Sequence, residues 1–374
     1  MPEPFQMIAT PEALRRMAAR LRDEECLALD TEFVWERTYY AQLGLVQIGL
    51  SDGTCFLVDP LALGDLAPIG ELLAAARIVK ILHDAPQDLM ILRRATGAAA
   101  RNVFDTRRAA GFAGLSSVLS LGNLLSELLG VHLAKAHTRA DWSARPLAPE
   151  VLEYAADDVR YLPQVAALLR GRARAAGVEA WLDEELAVLD APAPGEEQVF
   201  DEAYLRIRAA AALPPRSLAA LRELAAWRER AARNADRPRR WLVEDAELVA
   251  MAVELPRSPD DLRRCRGVAP QTVQRHGEDL LAAVQRGLSL PDAELPPPVF
   301  QPSRDPAFRK AVDAALGQVL ARVAARHVDP ALVCSRNELA MLLHEGAAAR
   351  PEAHRLLRGW RAELMGDALA VPPA

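Results

Sequence analysis

The sequence predicts a mixed α/β domain followed by two small all-helical domains. Strand-type and helix-type segments alternate up to about residue 190, and strand patterns are absent from about residue 195 onwards. Two composition breaks, at residues 191–198 and 291–306, separate the helical segments from the first domain and from each other. A chain of 374 residues suits two or three domains. We therefore expect domains at residues 1–195, 210–292 and 300–374.

The first domain is expected to begin with a short strand and a helix that Thr10 caps and Pro11 opens. Three strands follow at residues 25–33, 43–50 and 54–58, and the short turns between them predict antiparallel pairing. Further strands at 78–82 and 103–104 alternate with helices at 66–76, from 86, at 115–129 and at 149–175. Antiparallel strands followed by βα units predict a mixed sheet with flanking helices.

The two helical segments share a predicted layout. Each begins with a long helix, at residues 217–232 and 307–326, and continues through a turn into a short capped helix that starts near Glu244 or Ser335. This shared order suggests an internal repeat. Residues 216–286 contain 14 Arg against 11 Asp+Glu, and Arg239 and Arg240 stand next to Trp241. We expect these cations to contact nucleic-acid phosphates, with a solvated helix face as an equal alternative.

Composition excludes several classes of protein. Hydrophobic residues make up 51% of the chain and charged residues 26%, which is typical of folded globular proteins. A net charge of −6 excludes a histone-like polycation, although local charge decides phosphate binding. Four scattered cysteines without a CxxC pair argue against disulfide frameworks and zinc ribbons. Neither a signal peptide nor an apolar run of about 20 residues is present, so we expect a cytoplasmic protein without a membrane partner.

The first motif with chemical meaning is a pair of carboxylates inside an apolar strand. Asp30 and Glu32 are two residues apart, so both side chains point to the same face of the sheet. Burying unpaired carboxylates is costly, and they would need protons or cations. Two solvated acids at the end of a strand are the alternative, which a bare DxE pattern alone does not exclude.

Two further acidic motifs follow. Asp88 lies one turn into the helix that follows the strand at 78–82, whereas Asp84 has an alternative explanation as a helix cap. Tyr154 and Asp158 are four residues apart, so they share one face of a helix. A core aromatic residue beside an ordinary surface acid is the alternative for that pair.

Together, the four carboxylates and the phenol predict a metal centre. Oxygen ligands without Cys or His favour Mg²⁺ or Mn²⁺ over Zn²⁺. Four carboxylates in one cleft would repel each other without divalent cations, and two ions would clamp the attacking and leaving oxygens of a phosphodiester. Tyr154 would then orient or help to deprotonate the attacking water.

The three motifs resemble those of the DEDD superfamily of exonucleases. The matching segments are LDTEF at residues 29–33, HDAPQDL at 83–89 and YAADD at 154–158, and the YxxxD spacing resembles the subgroup with tyrosine in the third motif. The flanking segments TYYAQLGLVQIG and DWSARPLAPEVLEYAADDVRYL resemble bacterial ribonuclease D. Members of that family carry two C-terminal HRDC domains (helicase and ribonuclease D C-terminal), which would match the two helical segments.

This resemblance implies a fold, a reaction and a set of partners. The first domain would have the ribonuclease H-like fold, and the helical segments would be two HRDC-like domains. Asp30, Glu32, Asp88 and Asp158 would bind two Mg²⁺ or Mn²⁺ ions, and Tyr154 would position the water. The activity would be a 3′→5′ exoribonuclease that releases nucleoside 5′-monophosphates. Its substrates would be the 3′ trailers of precursor tRNA and other small structured RNAs, and we expect a monomer.

Several other residues are candidates for substrate contact. Two of them flank the acidic cluster, three lie in the loop between two predicted helices, and two belong to the arginine cluster. In that order they are Phe33 and His83, then Lys135, Trp142 and Arg145, and then Arg239 and Arg240. The aromatic residues could stack on bases, and the cations could contact phosphates. Packing and exposure to solvent are the alternatives for each of them.

Two other functions remain open at this point. A DNA exonuclease would use the same acidic site, because that site does not itself read the 2′-hydroxyl. A non-catalytic RNA-binding scaffold would use the helical domains beside a vestigial nuclease domain. Loss of an acidic ligand would be the signature of such a scaffold, and all five motif positions are filled here.

Overall fold

A mixed sheet is the centre of the α/β domain. The structure, a computed structural model, describes residues 5–133, 140–190, 196–303 and 305–366. Within these residues the sheet has six strands in the order β1-β4-β3-β2-β5-β6. Their bounds are β1 (Gln6–Ile8), β2 (Cys26–Val34), β3 (Gln42–Gly49), β4 (Cys55–Val58), β5 (Val79–Leu82) and β6 (Val103–Asp105).

The pairing of the strands confirms the predicted mixed sheet. β3 pairs with β4 in antiparallel register, with Val46 opposite Val58. Parallel pairs join β1 to β4, β2 to β5 and β5 to β6. The central strand β2, which carries Asp30 and Glu32, therefore lies between β3 and β5.

Helices cover both faces of the sheet. They are α1 (Pro11–Leu21), α2 (Pro60–Leu63), α3 (Ala67–Ala74), α4 (Pro86–Thr96), α5 (Thr106–Phe112), α6 (Leu121–Leu129), α7 (Pro149–Arg160), α8 (Leu162–Ala175) and α9 (Glu179–Ala187). Alternation along β2 sends Leu27 and Leu29 into one core with α1 and α3, and Ala28 into a second core with α5, α7 and α8. Asp30 and Glu32 continue the face of Ala28, so they point towards α7.

Two predicted helices differ from the structure. The helix expected at residues 115–129 begins only at Leu121, where the Ser120 hydroxyl accepts a bond from the Asn123 amide. The helix expected at 149–175 is two helices that meet at Tyr161. Pro163 explains the break, because its nitrogen has no hydrogen to continue the α-helical bonding. The predicted Thr10 cap is confirmed, since its hydroxyl accepts from the Ala13 amide at 3.2 Å.

A second compact unit comprises Ala193–Gln301 and the loop Trp35–Gln42. Its helices are α10 (Glu196–Asp201), α11 (Pro215–Asn234), α12 (Arg239–Leu242), α13 (Asp245–Glu254), α14 (Pro259–Arg264) and α15 (Pro270–Ser289). Helices α11 and α15 pack closely, because a Cβ atom on Gly287 would lie 2.6 Å from the backbone of Ala220. The loop joins this unit through Tyr39, whose hydroxyl donates to Glu229 at 2.8 Å.

The C-terminal helical segment belongs to the same compact unit as the sheet, which comprises Met1–Val34, Leu43–Pro192 and Pro302–Ala374. Its helices are α16 (Pro306–Arg326), α17 (Pro330–Val333), α18 (Arg336–Glu345) and α19 (Gly359–Met365). Trp360 is fully buried, with its ring centroid 5.0 Å from that of Phe112 and 5.9 Å from that of Trp181. Its indole N–H donates to the buried Glu185 at 3.0 Å, and Arg361 pairs with the same carboxylate at 2.9 Å. The domain limits expected from the sequence follow chain order and stay a prediction.

The similar layout predicted for the two helical segments is present in the order of their elements. Helices of 20, 4 and 10 residues (α11, α12 and α13) correspond to helices of 21, 4 and 10 residues (α16, α17 and α18). A reciprocal capping box opens the third helix in each case, formed by Glu244 and Glu247 or by Ser335 and Glu338. None of the helices in the described ranges combines the length and the apolar character needed to cross a bilayer.

Candidate metal centre

Three carboxylates converge between β2 and α7, where they are buried or half-buried. Asp30 and Glu32 project from the same face of β2, and Asp158 projects from α7. One carboxylate oxygen from each of them lies within 4.8 Å of the other two. Tyr154 stands one turn before Asp158 on α7, and its phenol forms a hydrogen bond with the Asp158 carboxylate.

The close approach of α7 to the sheet depends on a glycine. Gly49 ends β3, and a Cβ atom at this position would lie 2.6 Å from the carbonyl oxygen of Val159 on α7. Such a contact is impossible without displacing backbone, so only glycine permits this packing. Gly44 does the same for the backbone of Trp142, which its Cβ would approach to 2.5 Å. Gly49 therefore allows α7, with Tyr154 and Asp158, to approach β3 closely, and Gly44 allows the same approach for the segment at Trp142.

The fourth predicted ligand, Asp88, comes from α4. It is buried in the first turn of that helix, which follows β5 and begins at Pro86. The loop before the helix is fixed by the buried Asp105, whose carboxylate accepts bonds from the amides of Asp84 and Ala85 at 3.1 Å each. The hydroxyl of Thr31 on β2 donates a hydrogen bond to Oδ1 of Asp88. Asp88 is outside the group of three carboxylates, but its charge still raises the pKa of Asp30.

The charged forms of these carboxyl groups are disfavoured. Loss of hydration, followed by repulsion from Asp88 and Asp158, raises the pKa of Asp30 well above its ordinary value. The same causes raise the pKa of Glu32 to about 8, and loss of hydration raises the pKa of Asp158 to about 7 and of Asp88 to about 6. A divalent cation would reverse this balance, because it favours the deprotonated carboxylates.

The donor set fits a hard divalent cation. The converging ligand atoms are all carboxylate oxygens, which suit Mg²⁺ and Mn²⁺, and the group includes neither a thiolate nor an imidazole. Loss of hydration and the nearby carboxylates also raise the pKa of the Tyr154 phenol. Tyr154 is therefore a neutral hydroxyl at neutral pH, able to donate or accept a hydrogen bond beside the ions.

Two of the predicted substrate contacts have structural partners instead. Trp142 is 3% exposed and packs in the core beside Gly44, so we correct its expected role: no face of its ring is open to a base. Arg145 donates to the Asp59 carboxylate at 2.7 and 2.8 Å and to the Gly44 carbonyl at 2.6 Å. A phosphate would have to compete with these bonds.

The other candidates lie in varied surroundings. The His83 ring is held by the Thr106 hydroxyl at 2.9 Å and the Leu119 carbonyl at 3.1 Å, and Phe33 is half-buried near the end of β2. Arg239 pairs with Glu229 at 3.0 Å, and the more exposed Arg240 lies 3.5 Å from Asp245. Lys135 lies outside the described residues. For these residues, contact with substrate stays a prediction.

Sequence reasoning missed two residues that shape the site. Thr31 stands between Asp30 and Glu32, and alternation alone would assign it to the opposite, apolar face of the strand. Asp105 ends β6 and caps α5, accepting bonds from the amides of Arg107 and Arg108. Its position before a helix was a usable signal, but its bonds to the loop before Asp88 join residues 20 and 21 positions apart and carry no local pattern.

Comparison with known protein families and sequences gives a consistent result. The 3′-5′ exonuclease family matches residues 5–172, and the HRDC domain family matches residues 217–284. Ribonuclease D of Desulfotalea psychrophila is 38% identical over 365 residues, covering 96% of each chain. Ribonuclease D of Escherichia coli is 35% identical over 371 residues, covering 98% of this chain and 97% of the other.

Solved structures agree. The crystal structure of Escherichia coli RNase D, described as an exoribonuclease involved in structured RNA processing, superposes with a TM-score of 0.85 at 34% identity and covers 98% of this chain and 97% of that one. The catalytic core of RRP6 from Trypanosoma brucei superposes with a TM-score of 0.56 at 26% identity and covers 77% of this chain and 81% of that one.

Proposed function

The chain belongs to the ribonuclease D family of 3′-5′ exoribonucleases, and on this premise we propose that it uses two divalent ions to remove nucleoside 5′-monophosphates from the 3′ ends of small structured RNAs. The 3′ trailers of precursor tRNA are the substrates we expect. The observation that carries the proposal is the convergence of Asp30, Glu32 and Asp158 within 4.8 Å, with Asp88 close enough to act on the pKa of Asp30.

Each residue of the site has a proposed role. Asp30, Glu32, Asp88 and Asp158 would hold two Mg²⁺ or Mn²⁺ ions, which supply stabilisation of the negative charge on the attacking and leaving oxygens. Tyr154 would place the water for in-line attack on the last phosphodiester at the 3′ end, and Asp158 would orient the Tyr154 hydroxyl. Because the pKa of this phenol is raised, Tyr154 acts as a hydrogen-bonding group rather than as a phenolate base. Tyrosine in the third motif would place the chain in the corresponding DEDD subgroup.

Several observations support RNA as the substrate. The structural relative from Escherichia coli is described as acting in structured RNA processing, and an HRDC domain match covers most of the first helical segment. Arg240 in that segment has a side chain 67% exposed, so it can reach a phosphate. The shared element order supports a second HRDC-like domain at residues 300–374. A cytoplasmic location and a monomeric state are further expectations.

The substrate class can be tested with matched oligonucleotides. A hairpin with a single-stranded 3′ extension, labelled at its 5′ end, would be prepared as RNA and as DNA of the same sequence. We expect Mg²⁺ or Mn²⁺ to start stepwise shortening of the RNA with release of mononucleotides, and a chelator to stop it. Faster digestion of the DNA would overturn the RNA assignment, and an absence of metal-dependent digestion of either would overturn the nuclease assignment.

A further inference from the structure

Thr31 is a buried polar residue with a partner in the metal centre. It is 4% exposed and stands on β2 between Asp30 and Glu32. Its side chain points away from those two carboxylates because successive residues of a strand face opposite sides. On that side its hydroxyl donates a hydrogen bond to Oδ1 of Asp88 on α4, which is 57 positions later in the chain.

This bond connects the two elements that carry three of the four predicted ligands. Asp30 and Glu32 are held by the backbone of β2, whereas Asp88 depends on α4, a separate element with its own packing. A threonine side chain has few χ1 rotamers, so its hydroxyl direction follows the strand. Backbone groups of Thr31 and Asp88 also bond to the Asp88 carboxylate, and the Thr31 hydroxyl is the one side-chain donor among these contacts. A carboxylate held in this way keeps its rotamer, which fixes the direction in which it can present an oxygen to a cation.

We propose that Thr31 is a positioning residue that sets the orientation of Asp88 for metal binding. The inference rests on the proposed function in one respect, namely that Asp88 is a metal ligand. The Thr31 side chain faces away from Asp30 and Glu32, so its effect on the metal would pass through Asp88. Groups that hold a metal-binding carboxylate in this way are typically worth 10- to 100-fold in metal affinity or activity.

The test is a titration of the full-length protein with Mn²⁺, followed by calorimetry, with steady-state rates on RNA as a second readout. Thr31→Val removes the hydroxyl and keeps the shape, and Thr31→Ser keeps the hydroxyl. We expect Thr31→Val to weaken Mn²⁺ binding by about 10- to 100-fold and to lower kcat with little change in KM for RNA. Thr31→Ser should restore both to within a few-fold of wild type.

A matched control comes from a similar bond in the other compact unit. Thr272 is also buried, and its hydroxyl donates to the Glu247 carboxylate at 2.8 Å. Thr272→Val should lower stability and leave Mn²⁺ affinity unchanged. Wild-type Mn²⁺ affinity in Thr31→Val would overturn the proposal, because a purely structural role predicts a loss of stability alone.

A double-mutant cycle keeps the inference separate from folding and from the proposed function. In an Asp88→Asn background, Thr31→Val should have no further effect on Mn²⁺ affinity, and an additive effect would overturn the proposal. The titration does not depend on digestion of RNA. If wild type binds Mn²⁺ with the expected dependence on Thr31 but digests no RNA, the proposed function fails and the positioning role stands.

Discussion

Single carboxyl groups in the metal centre lie in surroundings that disfavour their charged forms. Asp30, Glu32 and Asp158 lie close together, and lost hydration raises the pKa of each of them. For Asp30 and Glu32, repulsion from neighbouring carboxylates raises the pKa further. Divalent cations bound as proposed above would replace the lost hydration and offset the repulsion. The protonation state of the site and its affinity for metal are therefore coupled.

The raised pKa values predict that the stability of the metal-free protein depends on pH. The folded-state pKa values of about 8 for Glu32, 7 for Asp158 and 6 for Asp88 lie above the ordinary values of 4.5, 3.8 and 3.8. The folded protein therefore binds more protons than the unfolded chain between about pH 4 and 8, so these groups lower the free energy of unfolding as pH rises through this range.

Urea denaturation at several pH values with a chelator would measure the effect. Glu32→Gln should show a shallower fall between pH 6 and about pH 8 than wild type does, since the substituted group no longer titrates. Saturating Mg²⁺ should flatten the dependence in wild type. Identical pH profiles for the variant and the wild type would contradict the assigned pKa of Glu32.

A second residue-scale prediction concerns Tyr154. Tyr154→Phe should lower kcat by about 10²- to 10⁴-fold, the usual worth of a positioned proton-transfer or water-orienting group, without weakening Mn²⁺ binding. Tyr161→Phe, at the end of the same helix, is the matched control and should keep wild-type kcat. Single-turnover digestion of RNA would separate the two, and a Tyr154→Phe enzyme as fast as wild type would contradict the role.

At the residue scale, the sequence could predict only those features that depend on residues close together in the chain. Strand periodicity places Asp30 and Glu32 on one face, and helix periodicity does the same for Tyr154 and Asp158. The carboxylates of Asp30, Glu32 and Asp158 do converge in one group. The state of Arg145 was not predictable, because its partner Asp59 lies 86 positions away. Nothing in the local pattern shows that the arginine is already bonded.

At the scale of elements, the packing of α7 against β3 determines the geometry of the site. Gly49→Ala would place a Cβ atom 2.6 Å from the Val159 carbonyl, so α7 must move away from the sheet together with Tyr154 and Asp158. We expect lower stability and, because an error of about 1 Å in placement can cost about 10²-fold, a comparable loss of kcat.

Gly171→Ala is the control for that substitution. Gly171 lies inside α8 with nothing within 4 Å of an added Cβ atom, so alanine should stabilise the helix by about 0.5–1 kcal/mol and leave activity unchanged. Thermal unfolding and RNA digestion of both variants check the pair. Full activity in Gly49→Ala would show that the α7 contact does not set the site.

Element types were easier to predict from the sequence than element ends. The strands at 25–33, 43–50 and 54–58 correspond to β2, β3 and β4 because alternating or continuous apolar patterns marked them. The predicted helix at 149–175 is divided because a proline inside an apolar periodic segment still removes a hydrogen bond. The periodicity of apolar residues alone does not show where a proline interrupts a helix.

At the scale of the whole molecule, the C-terminal helical segment is part of the unit that contains the sheet. Trp360 contributes to the same core as Phe112 and Trp181, although all three residues are distant in sequence. This packing could not be predicted from the sequence, because composition breaks mark linkers but do not reveal what a helix packs against. This packing gives a segment without a motif residue a role in the stability of the exonuclease unit.

Two tryptophan substitutions, one buried and one exposed, test this role in stability. Trp360→Ala should lower the free energy of unfolding by about 3–5 kcal/mol, as expected for removal of a fully buried aromatic side chain. Trp241→Ala is the control, because Trp241 is 58% exposed and its loss should change stability by no more than about 0.5 kcal/mol. Chemical denaturation measures both. Equal effects would contradict a shared core.

Net charge is a poor guide to partners at this scale. The total of −6 includes the carboxylates that are expected to bind cations, while residues 216–286 carry an excess of arginine. Phosphate binding should therefore depend on divalent metal at the site and on salt at the helical segment.

We propose above that the acidic cluster catalyses metal-dependent removal of nucleotides from an RNA 3′ end. The most direct measurement is the rate of nucleoside 5′-monophosphate release from RNA with Mg²⁺ by wild type, by Asp30→Asn and by Asp23→Asn, a control in which the altered side chain is 95% exposed. We predict rapid release by wild type and by Asp23→Asn, and release at background level by a folded Asp30→Asn protein. Release by Asp30→Asn at the wild-type rate would contradict the account.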